Sequence, residues 1–300
     1  MENLSQMLKH YVEMEKDTSK ISASCVKFLE DLLNEIKKTL KKTPYITSKE
    51  TLLKTQNEIE ELIKKCNKRV KSLYRNEIEE LIEKENEYST ENVKEEEEEE
   101  PKKKKSLVPS ILFMGVAGYA LYTDLLKRST DNILKNVSSK IRFAYTTKQP
   151  IDDVVESVDK KEEKYKKDMK TDVETAAASA IRNTSRSVYA KAKKKVKWCA
   201  VLDSHSCLVC ASYHGQIFEA NSAPEIPVHE NCRCILVPVE DNDNTEFEYN
   251  SFSEWIDSLS DDEKKGVLGK GRYELYKKGV AINSFIQGGS LIPLSKLKKT

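Results

Sequence analysis

The sequence predicts a mainly α-helical protein of long helices, followed by a small C-terminal α+β module that contains a Cys/His knuckle and short β-strands. Apolar residues recur at three- and four-residue steps over most of the first 200 positions, as on one face of a helix. Five of the seven cysteines lie between positions 198 and 239, among short β-prone runs. Charged residues make up 34% of the 300-residue chain and hydrophobic residues 38%, which favours modest cores over one thick globule.

These patterns divide the chain into five segments. The predicted segments are a helical arm (1–90), a charged linker (91–106), a helical domain that includes an apolar helix (107–197), the knuckle with a small sheet (198–240) and a C-terminal helical tail (241–300). The formal net charge is only +1, so overall charge identifies no polyanionic partner.

The arm contains two runs with helical apolar spacing, 21–40 and 52–81, which are interrupted at Pro44. Thr47 and Glu50 have the spacing of a capping box, which predicts the start of the second helix. Two long antiparallel helices and a helical arm that binds a partner both fit this pattern.

An acidic run and a basic run form the linker, with no apolar face between them. Glu95–Glu100 is followed by Pro101 and then by Lys102–Lys105, which is typical of a solvated segment.

The most apolar run, Leu107–Tyr122, comes next. It is shorter than the ~20 apolar residues of a membrane-crossing helix and contains Pro109, so we expect a helix buried against another chain and no membrane partner.

Further helices are predicted over 133–147, 151–158 and about 162–195, and the last of these ends in a basic patch. The candidate phosphate-contacting residues of this patch are Arg182, Arg186, Lys193, Lys194, Lys195 and Lys197. Cations also complement the partial negative charge at a helix C-terminus, so a solvated helix end and a contact with phosphates or an acidic protein surface both remain open.

The strongest chemical signal is the spacing Cys207-x2-Cys210 followed by His229-x2-Cys232-x-Cys234. Two thiols separated by two residues can aim both sulfurs at one point, as a tetrahedral metal requires. Positions two apart on an extended chain share a face, so the second cysteine pair can reach the same point. We expect a structural zinc site in which the first pair supplies two ligands and two of the other three residues complete it.

Disulfides and free thiols in a small core are the alternatives to a bound metal. The cysteine count is odd, and the N-terminus lacks the basic-then-apolar layout of a secretory signal, so reduced thiols are favoured. Short apolar runs at 196–202, 216–218 and 235–239 predict three strands around these thiols. The neighbouring His205 and His214 are interpreted as turn or supporting residues instead of ligands.

The motif residues of this region resemble those of the head morphogenesis family of tailed bacteriophages, the Mu F-like minor head proteins. The resemblance is carried by Trp198, Asp203-Ser204, Cys207-x2-Cys210, Gly215-x-x-Phe218, His229-x-Asn231-Cys232-Arg233-Cys234 and Val237-Pro238-Val239. A weaker likeness to the tail of such proteins follows in 253–294. Val173-Glu174-Thr175 keeps only part of the family's helix motif, and Glu230 replaces its usual proline.

The resemblance implies a non-catalytic minor capsid protein that acts in head morphogenesis. It would contact the portal, the major capsid protein or scaffolding proteins, with packaged DNA as a further candidate partner. It would be found in the virion, and in the host cytoplasm during assembly. The alternative is a nucleic-acid-binding zinc module, which the knuckle and the basic patch together suggest.

An enzymatic role is not expected. The chain has four histidines, which leaves little for general acid–base chemistry. It contains no nucleophile-elbow, phosphate-loop or His-Glu-x-x-His motif.

Overall fold

A computed structural model describes residues 4–93, 108–240 and 247–297, with the backbone alone for 108–123, 125 and 126. The helices are α1 (Leu4–Lys41), α2 (Lys49–Glu91), α3 (Val108–Thr147), α4 (Asp152–Asp159), α5 (Glu162–Lys191), α6 (Leu208–Tyr213), α7 (Phe252–Ser258), α8 (Asp261–Lys277) and α9 (Leu294–Leu297). The strands are β1 (Lys195–Cys199), β2 (Ile217–Glu219), β3 (Ile235–Val239), β4 (Ile286–Gln287) and β5 (Ser290–Leu291). The predicted fold class is therefore confirmed.

The described residues form two compact units. The helical unit draws on the ranges 9–85 and 103–181, and the mixed unit on 1–8, 86–102 and 182–300. The knuckle, the three-stranded sheet and the C-terminal helices all belong to the mixed unit.

The core of the helical unit includes the predicted apolar stripes of α1 and α2, together with buried residues of α3, α4 and α5. Leu33, Ile36 and Ile59 are fully buried, and the long flanking Lys and Glu side chains remain in water. The start of α2 differs from the prediction by one residue. Ser48 is the capping residue, because its Oγ accepts the backbone N–H of Thr51 at 3.1 Å.

The end of α5 also differs from the prediction, which extended this helix to about 195. The backbone N–H of Lys194 donates to the carbonyl of Tyr189 at 3.0 Å, and Lys193 takes the left-handed conformation with φ 54°. This six-to-one bond is a common helix termination, and it turns the chain directly into β1. Lys195 and Lys197 therefore lie on a strand and not on the helix.

The main sheet has the strand order β2-β1-β3, with antiparallel pairing throughout. In the β1–β3 register Trp198 lies opposite Leu236, and Cys199 lies opposite Ile235. Val196 and Trp198 are fully buried, because alternate residues of β1 point into the core of the mixed unit. The predicted short strands are confirmed, with β1 ending three residues earlier than expected.

The C-terminal helices form a second apolar cluster in the mixed unit. Phe252, Trp255, Ile256 and Phe285 lie at its centre. A complete capping box starts α8, in which Ser260 and Glu263 each bond the other's backbone N–H. The same segment also contains the two-stranded sheet of β4 and β5.

Two predictions lie wholly or partly outside the described residues. The first is the charged linker, which is not described from position 94 onwards. The second is the burial of the apolar run: Leu107 is not described, and neither are the side chains of the other residues of the run. The backbone of that run is helical from Val108. Within the described ranges, no helix combines the length and the apolar character that a membrane crossing requires.

Candidate metal centre

Five potential metal ligands converge in the mixed unit. Cys207 precedes the first turn of α6, and Cys210 lies within that turn. His229 lies in the loop after β2, and Cys232 and Cys234 lie directly before β3. The sheet brings these segments together because β2 and β3 both pair with β1, on its opposite edges.

The ligand atoms form two groups of three. The donor atoms of Cys207, Cys210 and His229 lie within 4.8 Å of one another, and so do those of Cys210, Cys232 and Cys234. Cys210 thus belongs to both groups, and every sequence-predicted ligand is present in at least one. These residues are brought together although up to 27 positions separate them along the chain.

The distances suit a shared ion and not a disulfide. Cys210 Sγ lies 3.9 Å from Cys232 Sγ and 3.2 Å from His229 Nε2. A tetrahedral zinc ion with bonds of about 2.3 Å places its sulfur ligands about 3.8 Å apart. A disulfide would instead require a separation of about 2.05 Å. Within the described residues, no two cysteines are joined by a disulfide.

The ring of His229 is oriented for ligation. Its Nδ1 lies 2.6 Å from the carbonyl oxygen of Glu230, which can only accept a hydrogen bond. Nδ1 therefore carries the proton, and Nε2 presents its lone pair toward Cys210. A ligating histidine commonly has its other ring nitrogen held in this way.

Thiol ionisation shows how closely the sulfurs interact. Hydrogen bonding from the Cys210 thiol, helped by backbone N–H groups at the start of α6, lowers the pKa of Cys207 to about 5. Hydrogen bonding to Cys210 and then to Cys234 also lowers the pKa of Cys232. The pKa of Cys210 is raised, chiefly because its proton is held by Cys207, Cys232 and Cys234. The cluster therefore offers negatively charged sulfur, which a cation can bind after displacing the remaining protons.

Two residues of the motif, Trp198 and Arg233, lie next to the candidate ligands. Trp198 is fully buried in the apolar cluster that also contains Cys210, Cys232 and Cys234. Arg233, between the two final cysteines, donates to both carboxylate oxygens of Asp203 at 2.8 Å. This two-point ion pair ties the ligand-bearing segment to the loop before α6.

The turn after α6 depends on a glycine. Gly215 has φ +78°, and a Cβ at this position would lie 2.0 Å from the carbonyl oxygen of Asn250. The adjacent His214 is buried, with Nδ1 accepting the backbone N–H of Ala200 and Nε2 donating to the carbonyl of Tyr249. Burial lowers the pKa of His214, so this histidine is a neutral structural residue, as expected from its position in a turn.

His205, the other histidine near the cluster, lies exposed in the loop before α6 with its Nδ1 3.2 Å from the hydroxyl of Ser204. It belongs to neither ligand group, in keeping with its interpretation as a turn residue.

Most residues of the predicted basic patch bond or contact other groups of the mixed unit. The buried Arg182 donates to the carbonyl of Cys232, and Arg186 donates to the carbonyls of Ala220 and Asn221, earlier in the same loop. Lys194 pairs with Glu240 at 2.7 Å, and the Nζ of Lys197 lies 4.8 Å above the ring of Phe247.

The other two members of the patch are Lys193 and Lys195. Lys193 is exposed in the turn that ends α5, and Lys195 is half-buried at the start of β1. The sequence left open a solvated helix end and a contact with phosphates or an acidic surface, and neither describes Arg182 and Arg186, which bond backbone carbonyls within the unit.

Comparison with models of known protein families, with curated proteins and with solved structures finds no match for this chain.

Proposed function

We propose that this protein is a non-catalytic minor head protein of a tailed bacteriophage, and that a structural zinc ion holds its mixed unit together. The convergence of five Cys and His donors carries the proposal, because the motif that supplies them is the one that resembles the head morphogenesis family. Other residues of that motif support the same site, including Trp198, Asp203 and Arg233.

The donor set fits zinc better than the other common divalent cations. Four thiols and one imidazole are softer ligands than Mg²⁺ or Ca²⁺ prefer. Most of these donors are buried, which is typical of a structural and closed site. When bound, zinc would supply cross-linking free energy to a small unit with few strands. Cys207 and Cys210 would provide two ligands, and two of His229, Cys232 and Cys234 the others.

In this proposal the zinc-bound unit is a rigid platform, and the helices provide surfaces that dock with other head proteins. The partners are the portal, the major capsid protein or scaffolding proteins, met in the host cytoplasm and retained in the virion. Catalysis has no role in this proposal.

A nucleic-acid-binding zinc module is the less well supported alternative. Phosphate recognition needs cations that face solvent. Arg182 and Lys197 are instead buried, and Arg186 and Lys194 bond groups within the unit.

The test is the composition of assembled heads. Phage heads are purified from host cells that produce the wild-type chain, the Cys210→Ser variant or the control variant Cys199→Ser, and the chain is quantified by mass spectrometry. Cys199 is a suitable control because it is a thiol of the same unit that belongs to neither group of ligands. We expect the wild-type and Cys199→Ser chains in heads and a marked loss of the Cys210→Ser chain.

Absence of the wild-type chain from purified heads would refute the assembly role. Equal incorporation of the two cysteine variants, with metal analysis finding no zinc in the wild-type chain, would refute the structural zinc.

A further inference from the structure

The loop that carries most of the ligands has little regular structure of its own. Residues 220–234, here named the ligand loop, connect β2 to β3 and contain His229, Cys232 and Cys234. No strand pairing spans this loop. A local turn bonds part of its backbone, from the Cys232 N–H to the His229 carbonyl at 3.2 Å, and side chains outside the loop bond further carbonyls.

Three side chains near the C-terminal end of α5 each bond a different part of the loop. Arg186 Nε donates to the carbonyl of Ala220 at 2.9 Å, near the start of the loop. Asn183 Nδ2 donates to the carbonyl of Ile226 at 3.2 Å, in the middle of the loop. Arg182 Nη1 donates to the carbonyl of Cys232, near its end.

Arg182 differs from the other two because it bonds the backbone of a candidate ligand. Its side chain is 5% exposed, and Cys232 is 4% exposed, so water cannot replace this bond readily. A hydrogen bond from a charged donor is about twice as strong as a neutral one. Leaving a buried carbonyl without its donor costs about 1–3 kcal/mol.

The position of that carbonyl controls two sulfurs at once. Cys232 and Cys234 lie on either side of one residue, and both belong to the group of three that also contains Cys210. Displacement of the Cys232 carbonyl would therefore rotate both thiols relative to Cys210. Groups that orient metal ligands typically change metal affinity by 10- to 100-fold when they are removed.

We propose that Arg182 is a positioning residue of the metal centre, which holds the Cys232–Cys234 segment in the ligating arrangement through the Cys232 carbonyl. The inference rests on the proposed zinc site. It also explains why an arginine occupies this buried position of α5. A contact with phosphates would not explain it, because such a contact requires a cation exposed to solvent.

The test compares metal affinity in full-length chains that carry Arg182→Lys, Arg182→Met, Arg186→Lys or Arg186→Met. Zinc affinity is measured by competition with a chromophoric chelator, and Co²⁺ spectra report the geometry of the thiolate ligands. We expect Arg182→Met to bind zinc 10- to 100-fold more weakly than the wild type, with altered Co²⁺ bands. Arg182→Lys keeps the charge but loses the planar fork, so its affinity should be intermediate.

The Arg186 variants are the matched controls. Arg186 makes the same type of bond from the same helix, but its acceptors, Ala220 and Asn221, lie eight residues or more before His229. We expect these variants to lose thermal stability while zinc affinity stays within about threefold of the wild type, a change below that expected for ligand-orienting groups.

Three kinds of result would contradict the proposal. Equal losses of affinity at positions 182 and 186, or unchanged affinity in the Arg182 variants, would overturn the proposal. If both Arg182 variants fail to fold while the Arg186 variants fold, the residue serves folding in general and the proposal also fails. A wild-type chain that binds neither zinc nor Co²⁺ would refute the metal centre itself, before any variant is considered.

Discussion

Replacement of Cys210 by alanine should destabilise the mixed unit more than any other single cysteine replacement. Cys210 is the residue that the two groups of ligands share, and it is 4% exposed. Removing it breaks both groups, whereas Cys207→Ala leaves Cys210, Cys232 and Cys234 together.

The size of the effect follows from metal binding and not from packing. Structural zinc contributes ~10–16 kcal/mol in small zinc-finger peptides, so an equal share for each of four ligands is ~2.5–4 kcal/mol. Loss of a small buried side chain without a metal role costs ~1 kcal/mol. In excess zinc, Cys210→Ala should therefore reduce the free energy of unfolding by at least ~2 kcal/mol more than the control Cys199→Ala.

Tryptophan fluorescence during urea unfolding is the suitable assay. The only two tryptophans of the chain, Trp198 and Trp255, belong to the mixed unit, so their signal does not report the helical unit. If the two alanine variants differ by less than ~1 kcal/mol in excess zinc, the cluster contributes no more than an ordinary core position and the zinc reasoning is refuted.

Three further predictions use the same assay. A chelator should lower the urea midpoint of the wild-type chain and leave the Cys210→Ala variant almost unchanged; equal shifts in both would contradict a shared metal. Gly215→Ala should destabilise the mixed unit by more than ~2 kcal/mol, because φ is +78° and the new Cβ would lie 2.0 Å from the Asn250 carbonyl oxygen. The control Gly266→Ala should be neutral or stabilising, because no atom lies within 4 Å of its new Cβ. The Arg233 guanidinium lowers the pKa of Asp203 to about 2. The ion pair therefore stabilises the folded state fully at pH values above the ordinary carboxylate pKa of about 4, and this stabilisation is lost as the pH falls through about 2. The Asp203→Asn variant should accordingly be less stable than wild type at neutral pH and approach it between about pH 4 and pH 2, and a difference that is constant with pH would disprove the role of the pair.

Local sequence patterns accounted for most elements of the fold. The apolar spacing of α1 and α2 predicts buried faces, and Leu33, Ile36 and Ile59 are indeed fully buried. The errors occurred at helix ends, where Ser48 replaces the predicted cap and α5 ends at Lys191. A helix end depends on one or two backbone hydrogen bonds, whose choice among adjacent polar residues the pattern does not specify.

The candidate ligands were also predictable, but their supporting groups were not. The spacing of Cys207, Cys210, His229, Cys232 and Cys234 suffices to suggest a metal, because short loops between ligands are a local property. Arg182 carries no such signal. Its bond to the ligand loop joins positions 50 apart in the sequence, and only the packing of the loop against α5 brings them together.

The amino-acid sequence alone thus determined the helical periodicity, the short strands and the identity of the thiol and imidazole donors, since these depend on residues close together in the chain. Tertiary structure decided that Cys210 is common to both groups of donors and that Arg182 and Arg186, near the end of α5, bond backbone carbonyls of the ligand loop. The physical reason is burial: a charged side chain removed from water must find an acceptor within the fold, and which acceptor is nearest is a property of packing.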